Sequence, residues 1–396
     1  MRQMWRPLTD RHLIVPGGVS VALLVSTLAC WLAFGGTQAS AAQVKCGDTI
    51  TTDTILHKDL VNCPNNGIVI GADGITLDLN GHMIDSDGTP TDGCDVATEF
   101  CDVGVVNFRH DGVTVKDGSL RQFGGAVNFF GPLRRNRLLG ISASGSADVG
   151  IQFFEASRSL IRDSSASGSP NRHHLGFGLA LYSSDHLRVV GNSFRNNTGD
   201  AVHTVDSNRN LIKANLMARN GGQGFVLEDG ERNRISRNRL ARNGAGITLT
   251  PGRHTVISRN RVLGGRDGIR VEKGHDNLVA HNLVAHTDRA GIRLGIKHPF
   301  IGGAHNVVRR NRVRDSRVDG FVVVKKDRHS LLKRNVATGS GDDGFDIESS
   351  STTLTLNRAA NNGGFGIQAV PGVNDGGGNR AHGNGNPLQC VNIVCG

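Results

Sequence analysis

From Val189 to Ala369 the apolar residues of this chain come in short alternating pairs, not in helical stripes. Asparagine recurs at Asn192, Asn215, Asn238, Asn260, Asn282, Asn311, Asn335 and Asn357, in steps of 22 to 24 residues with one step of 29. Three positions before each Asn stands Val, Ile or Leu, from Val189 and Ile212 through Leu354. Two positions after it comes another apolar residue, from Phe194 and Met217 through Ala359. Eight or nine residues beyond the Asn runs a Gly column, from Gly224 to Gly366, with Ala201 in the equivalent earlier place. The first and third residues after it are again apolar, as in Phe225 and Leu227, Ile247 and Leu249, or Ile269 and Val271. Such period-2 alternation marks a strand with one buried face.

Three short strands in each repeat of about 22 residues predict a roughly triangular coil stacked on its neighbours at about 4.8 Å. The fold class is therefore all-β, a parallel β-helix solenoid with three strands per coil and about a dozen coils. Helical repeats are excluded, because their longer units would show a 3.6-residue period where Gly, Asn and Arg here interrupt every apolar pair. The Asn column reads as a structural ladder at one corner, where Asn tolerates a left-handed backbone and its amide reaches the next coil. Insertions around 84–101, 164–176 and 295–304 are expected to project from the coil edges as candidate walls of a groove.

The ends differ from this middle. Arg2, Arg6 and Arg11 precede an apolar run from Val19 to Phe34, and Ala39-Ser40-Ala41 supplies small residues for cleavage, so residues 1–41 read as a signal peptide, with an uncleaved membrane anchor as the alternative. Residues 42–80 are expected to form an N-terminal cap and first coil, 81–370 the solenoid, and 371–396 a C-terminal cap or tail. Beyond the leader lie six cysteines, an even number that suits disulfides in an exported chain. Close spacing suggests Cys46 with Cys63, Cys94 with Cys101, and Cys390 with Cys395, although sequence alone does not choose the pairing.

Glycine, at 54 of 396 residues, favours a chain with many sharp turns. The formal charge is +10, and loss of the leader removes three arginines and one aspartate, leaving about +8. Outside a cell such a surface points to an anionic polysaccharide or cell-wall polymer and not to nucleic acid.

The columns, together with Cys46-Gly47-Asp48-Thr49-Ile50 and Ile75-Thr76-Leu77-Asp78-Leu79-Asn80-Gly81-His82, resemble the right-handed parallel β-helix repeat proteins of the pectin-lyase-like superfamily, in its bacterial secreted and NosD-like branches. The resemblance covers roughly residues 46–370. It implies a right-handed coil and, for most members, binding of or action on long polysaccharides along one sheet face.

Asp319 and, one coil on, Asp342 and Asp343 are candidate catalytic carboxylates for glycoside hydrolysis. They match the polygalacturonase arrangement only in part: Phe365 stands where that family's His is expected, and residues 371–396 contain no Arg-Ile-Lys. A turn-forming role for Asp before Gly is the alternative, as at Asp267. On the outward side of the Gly-led strand, Arg270, Arg293 and Asp346, with Glu272 and Glu348 two positions beyond that row, are candidate substrate contacts, the two arginines as carboxylate binders. Their alternative role is an ion pair with Glu272. A second basic stripe flanks the Asn column at Arg237, Arg259, Arg310 and Arg334 before it and Arg239, Arg261, Arg312 and Arg358 after it.

His275, His281, His286, His298 and His305 fall in different columns, so no metal site and no cofactor is expected. With Trp5 and Trp31 both in the leader, and Tyr182 the one tyrosine, aromatic stacking on a neutral glycan is not favoured. The expectation is a secreted or cell-surface monomer that binds, and in one version cleaves, an acidic polysaccharide, with the membrane involved only through an uncleaved leader. A non-catalytic structural or adhesive surface protein and a NosD-like periplasmic accessory protein are the alternatives.

Overall fold

The computed structural model describes residues 43–89, 102–170, 176–296 and 302–396. A representative coil runs through strands Gln223–Glu228, Arg234–Ser236 and Arg239–Ala241, after which Ala245–Leu249 begins the next. The first strand of every coil joins one sheet of fifteen parallel strands, from Asp48–Ile50 to Cys390–Val391. We call this the first sheet. The second and third strands build two further parallel sheets that meet at the Asn corner, exemplified by the pairs Ile235↔Ile257 and Leu240↔Val262.

The predicted columns stack in register. Phe225 pairs with Ile247, and Ile247 with Ile269, while the residue two positions on repeats the pattern as Leu227, Leu249 and Val271. All these side chains are buried in one continuous core. Apolar contact along the axis is direct: the rings of Phe321 and Phe345 stack with centroids 4.6 Å apart. The Gly column exists for space and not for backbone freedom. A Cβ on Gly268 would lie 2.2 Å from Val284 Cγ1 and 2.5 Å from the carbonyl oxygen of Gly291 in the next coil.

The corner differs from expectation in one respect. The left-handed residue is not the ladder Asn but the one before it, with φ of 57° at Arg237 and Arg259, 54° at Arg310 and 56° at Arg334. The Asn is freed for hydrogen bonding. Asn238 Oδ1 accepts both the backbone N–H and the side-chain Nδ2 of Asn215 (2.9 and 3.1 Å), while its own Nδ2 donates to the carbonyl of Ile212 (2.9 Å). Where the main-chain ladder breaks to turn, the amide replaces it, so the backbone N–H of each ladder Asn from Asn192 to Asn357 keeps an acceptor. The ladder runs from Asn192 to Asn357 and continues to Asn379.

Disulfides tie Cys46 to Cys63 and Cys390 to Cys395, at the two ends of the solenoid. Cys94 and Cys101 lie outside the described residues. Strands continue beyond residue 370, at Asn374–Asp375, Arg380–His382 and Cys390–Val391, each pairing with the coil before it.

Candidate functional site

Immediately before the Gly column lies a recurrent acid, at Asp200, Asp267, Asp319 and Asp343. Its first task is structural: the Asp carboxylate accepts a backbone N–H one coil on, as from Gln223 to Asp200 (2.5 Å), Asp343 to Asp319 (3.2 Å) and Phe365 to Asp343 (2.6 Å). What distinguishes the sites is the residue three positions later, which faces out of the first sheet. Asp200 meets His203 Nδ1 at 2.9 Å. Asp267 meets Arg270 at 3.8 Å and, from the following coil, Arg293 at 2.7 Å. Asp319 has Val322 at that place and no ion pair among the described residues.

The consequence for Asp319 is electrostatic. It is buried, Asp346, Asp342 and Asp343 add like charge around it, and its carboxyl is pushed up to about 7, with burial the larger cause. One oxygen each of Asp319, exposed Asp342 and buried Asp343 lie within 4.8 Å of one another. The structure therefore brings together the three carboxylates singled out from sequence. One is poised to carry a proton near neutrality beside an exposed partner, an arrangement able to divide acid and base roles.

The arginines of the same sheet are placed differently. Strand register puts Arg270 beside Arg293, then Val322, Asp346 and Gln368 in one outward row. Arg270 Nε lies 2.6 Å from Glu272 Oε1 without an aligned hydrogen bond, and Asp267, almost fully buried, sits between both guanidinium groups. Two cations and two carboxylates form a locally neutral quartet, so these arginines offer donors but little net charge. Glu348 lies further along this sheet, two positions after Asp346.

Free positive charge collects elsewhere. Residues 209–222, 232–244, 253–265, 277–287, 305–314 and 328–338, which carry the second and third sheets, contain no Asp or Glu. Arg237, Arg239, Arg259, Arg261, Arg310, Arg312 and Arg334 are exposed around the Asn corner, and among the described residues none has a carboxylate partner. Arg358 instead meets His382 Nε2 at 2.9 Å. Grooves flank the ridge. One of about 690 Å³ on the third sheet is lined by Arg195, Arg219, Arg237, Arg239 and Arg242, and one of about 450 Å³ on the second by Arg209, Arg234, Arg237 and Arg259, with Arg232 there paired to Glu231.

Sequence reading missed two ladders parallel to the Asn corner. Leu187 and Asn210 donate backbone N–H groups to Asn210 and Asn233 in one, and Asn197 and Asn220 to Asn220 and Asn243 in the other. The clue was the five-residue spacing of Asn233, Asn238 and Asn243, blurred because Ser and Thr replace Asn in other coils. The histidines do not converge on one point: His305 stacks on His329 with ring centroids 5.4 Å apart, His281 lies on the Asn corner, and His298 falls outside the described residues.

No curated protein matches the chain. Among solved structures it is similar to the A-module of the mannuronan C-5 epimerase AlgE6 of Azotobacter vinelandii, with 14% identity, 83% of this chain and 90% of that one covered, and a TM-score of 0.52. It is also similar to the periplasmic alginate epimerase AlgG (15% identity, 80% and 75% covered, TM-score 0.49). A third is PfbA, a surface adhesin of Streptococcus pneumoniae (11% identity, 81% and 80% covered, TM-score 0.47). At these identities the likeness is one of fold. The model of the right-handed β-helix region matches residues 60–254, 177–301 and 245–393, which together span most of the chain. The coil order, the parallel register and this match agree, and the chain belongs to the right-handed β-helix family.

Proposed function

We propose that this is a secreted or cell-surface β-helix protein that binds an acidic polysaccharide. The observation that carries the reading is the segregation of charge. Between residues 209 and 338 the first sheet pairs its own arginines with Asp267 and Glu272, whereas Arg237, Arg239, Arg259, Arg261, Arg310, Arg312 and Arg334 around the Asn corner are exposed and, among the described residues, without carboxylate partners. Arginine stacked at about 4.8 Å along an axis is mutually repelled, and an anionic polymer relieves that repulsion while releasing counterions. The disulfides at both ends suit an oxidising compartment. The protein should be retained on pectate, alginate or hyaluronan resin at low salt and released as salt rises. Passage through all three at low salt would sink the proposal.

A second reading adds cleavage. The trio Asp319, Asp342 and Asp343 favours hydrolysis, with protonated Asp319 as the acid and an ionised neighbour as nucleophile or base. Incubation with the same polymers should then release reducing ends, with activity falling by 10²-fold or more in Asp343→Ala. Retention without products leaves the binding reading alone.

A further inference from the structure

We propose that the Asn corner is an axial track, on which a linear polysaccharide bearing one carboxylate per sugar lies parallel to the solenoid axis. This rests on the acidic-polysaccharide reading and adds a place, a direction and a charge spacing to it. The residue before each ladder Asn is held with positive φ, which turns its side chain out at the apex between two sheets. In successive coils that residue is Arg237, Arg259, His281, Arg310 and Arg334. Five coils at about 4.8 Å give a row about 19 Å long. A pyranose ring with its glycosidic oxygen advances by nearly one coil rise, so a polymer charged at every sugar meets one corner residue per ring. The grooves on either side give the rings a seat. Among the described residues, cations in this row have no carboxylate partner, so a carboxylate polymer binds without first breaking an ion pair with them.

Chemistry excludes the other common polyanion. Single-stranded nucleic acid is gripped by base stacking on aromatic side chains as well as by charge. Neither groove has an aromatic lining residue. The histidine in the row supplies a reporter. Its pKa is held below the ordinary imidazole value by burial and by the charges of Arg310, Arg259 and Arg309.

The test uses oligouronates of increasing length, with calorimetry of the purified protein at low salt. Affinity is expected to rise with each sugar up to about five, the number that fills the row, and then to level off. Asn accepts a left-handed backbone, so the triple variant Arg237→Asn, Arg259→Asn and Arg310→Asn removes charge while keeping the turn. It should bind at least about tenfold more weakly, whereas lysine at the same three positions should retain most of the affinity. Should the Asn variant lose its cooperative unfolding, Arg239→Gln, Arg261→Gln and Arg312→Gln on the adjoining strand test the same track. Ligand should also raise the His281 titration followed by NMR.

Affinity that stops rising at a disaccharide, or arginine variants that bind as wild type, would overturn the axial track. If such variants are still retained on polyuronate resin, the general binding reading survives and only its location falls. Equal, arginine-dependent binding of a single-stranded oligonucleotide would overturn the assignment to a sugar carboxylate.

Discussion

Asn238 shows how one side chain replaces a piece of secondary structure. Its amide serves three polar groups of the preceding coil and donates to Asn260 Oδ1 of the following one, all in a buried setting. Asn238→Ala removes the acceptor of the Asn215 backbone N–H, one of the two acceptors of the Asn215 amide and a donor to the Ile212 carbonyl, and should cost about 2 kcal/mol or more in denaturant unfolding. A loss under 1 kcal/mol would mean that water enters the corner. Asp319 behaves oppositely with pH. Its carboxyl titrates near 3.8 when unfolded and about 7 when folded, so the folded state binds the proton more tightly. Stability is therefore greatest at low pH with respect to this group and falls as pH rises from about 4 through 7. Asp319→Asn should flatten that part of the melting-temperature profile. Some slope will remain, because Asp102, pushed up to about 6 by burial, acts in the same sense. The ladder was legible because one residue type repeats without exception over eight coils. The proton affinity of Asp319 was not, since it depends on Val322 failing to supply the cation that Arg270 supplies to Asp267.

Strands of three residues are too short to be stable alone, and each is fixed by the coil before and the coil after it. Their alternation was readable from sequence because the inward set is almost uniformly apolar. The Gly column was readable as position but not as cause, since its meaning lies in the approach of Val284 Cγ1 from the following coil. Gly268→Ala should therefore destabilise by about 1–3 kcal/mol through overpacking, measured by thermal melting, although Ala is otherwise the better residue outside turns. Unchanged stability would show that the coils can separate slightly to admit a methyl. The ion pair of Arg270 with Glu272 was anticipated as the alternative to substrate contact, but the part of Asp267 in that neutral quartet was hidden for a related reason. Arg293 reaches Asp267 26 residues back, a separation that becomes a contact only when the length of that coil is known.

Because each coil touches only its neighbours, the solenoid is close to a one-dimensional stack. Removal of residues 238–259 deletes one complete coil and joins Arg237 to Asn260, preserving the ladder, the strand order and the core columns. That protein should fold with unchanged strand content by circular dichroism and a modestly lower melting temperature. Aggregation would show that coils are not interchangeable. Reduction of Cys46–Cys63 should loosen the first coil alone, detected as faster hydrogen exchange in Asp48–Ile50 and Ile68–Ile70 with the central coils unchanged.

Opposite charge on opposite flanks of a rod has a mechanical consequence. A rod with charge of one sign at its tip would plant itself end-on in a polymer mesh, whereas one charged along its length lies down. With unpaired arginines on the Asn corner and the Asp319, Asp342 and Asp343 carboxylates on the first sheet, the C-terminal coils of this solenoid are electrically polarised across their width. Near a negatively charged matrix it rolls until the arginine edge faces inward, and the Asp319 side is then presented to whatever approaches from solution.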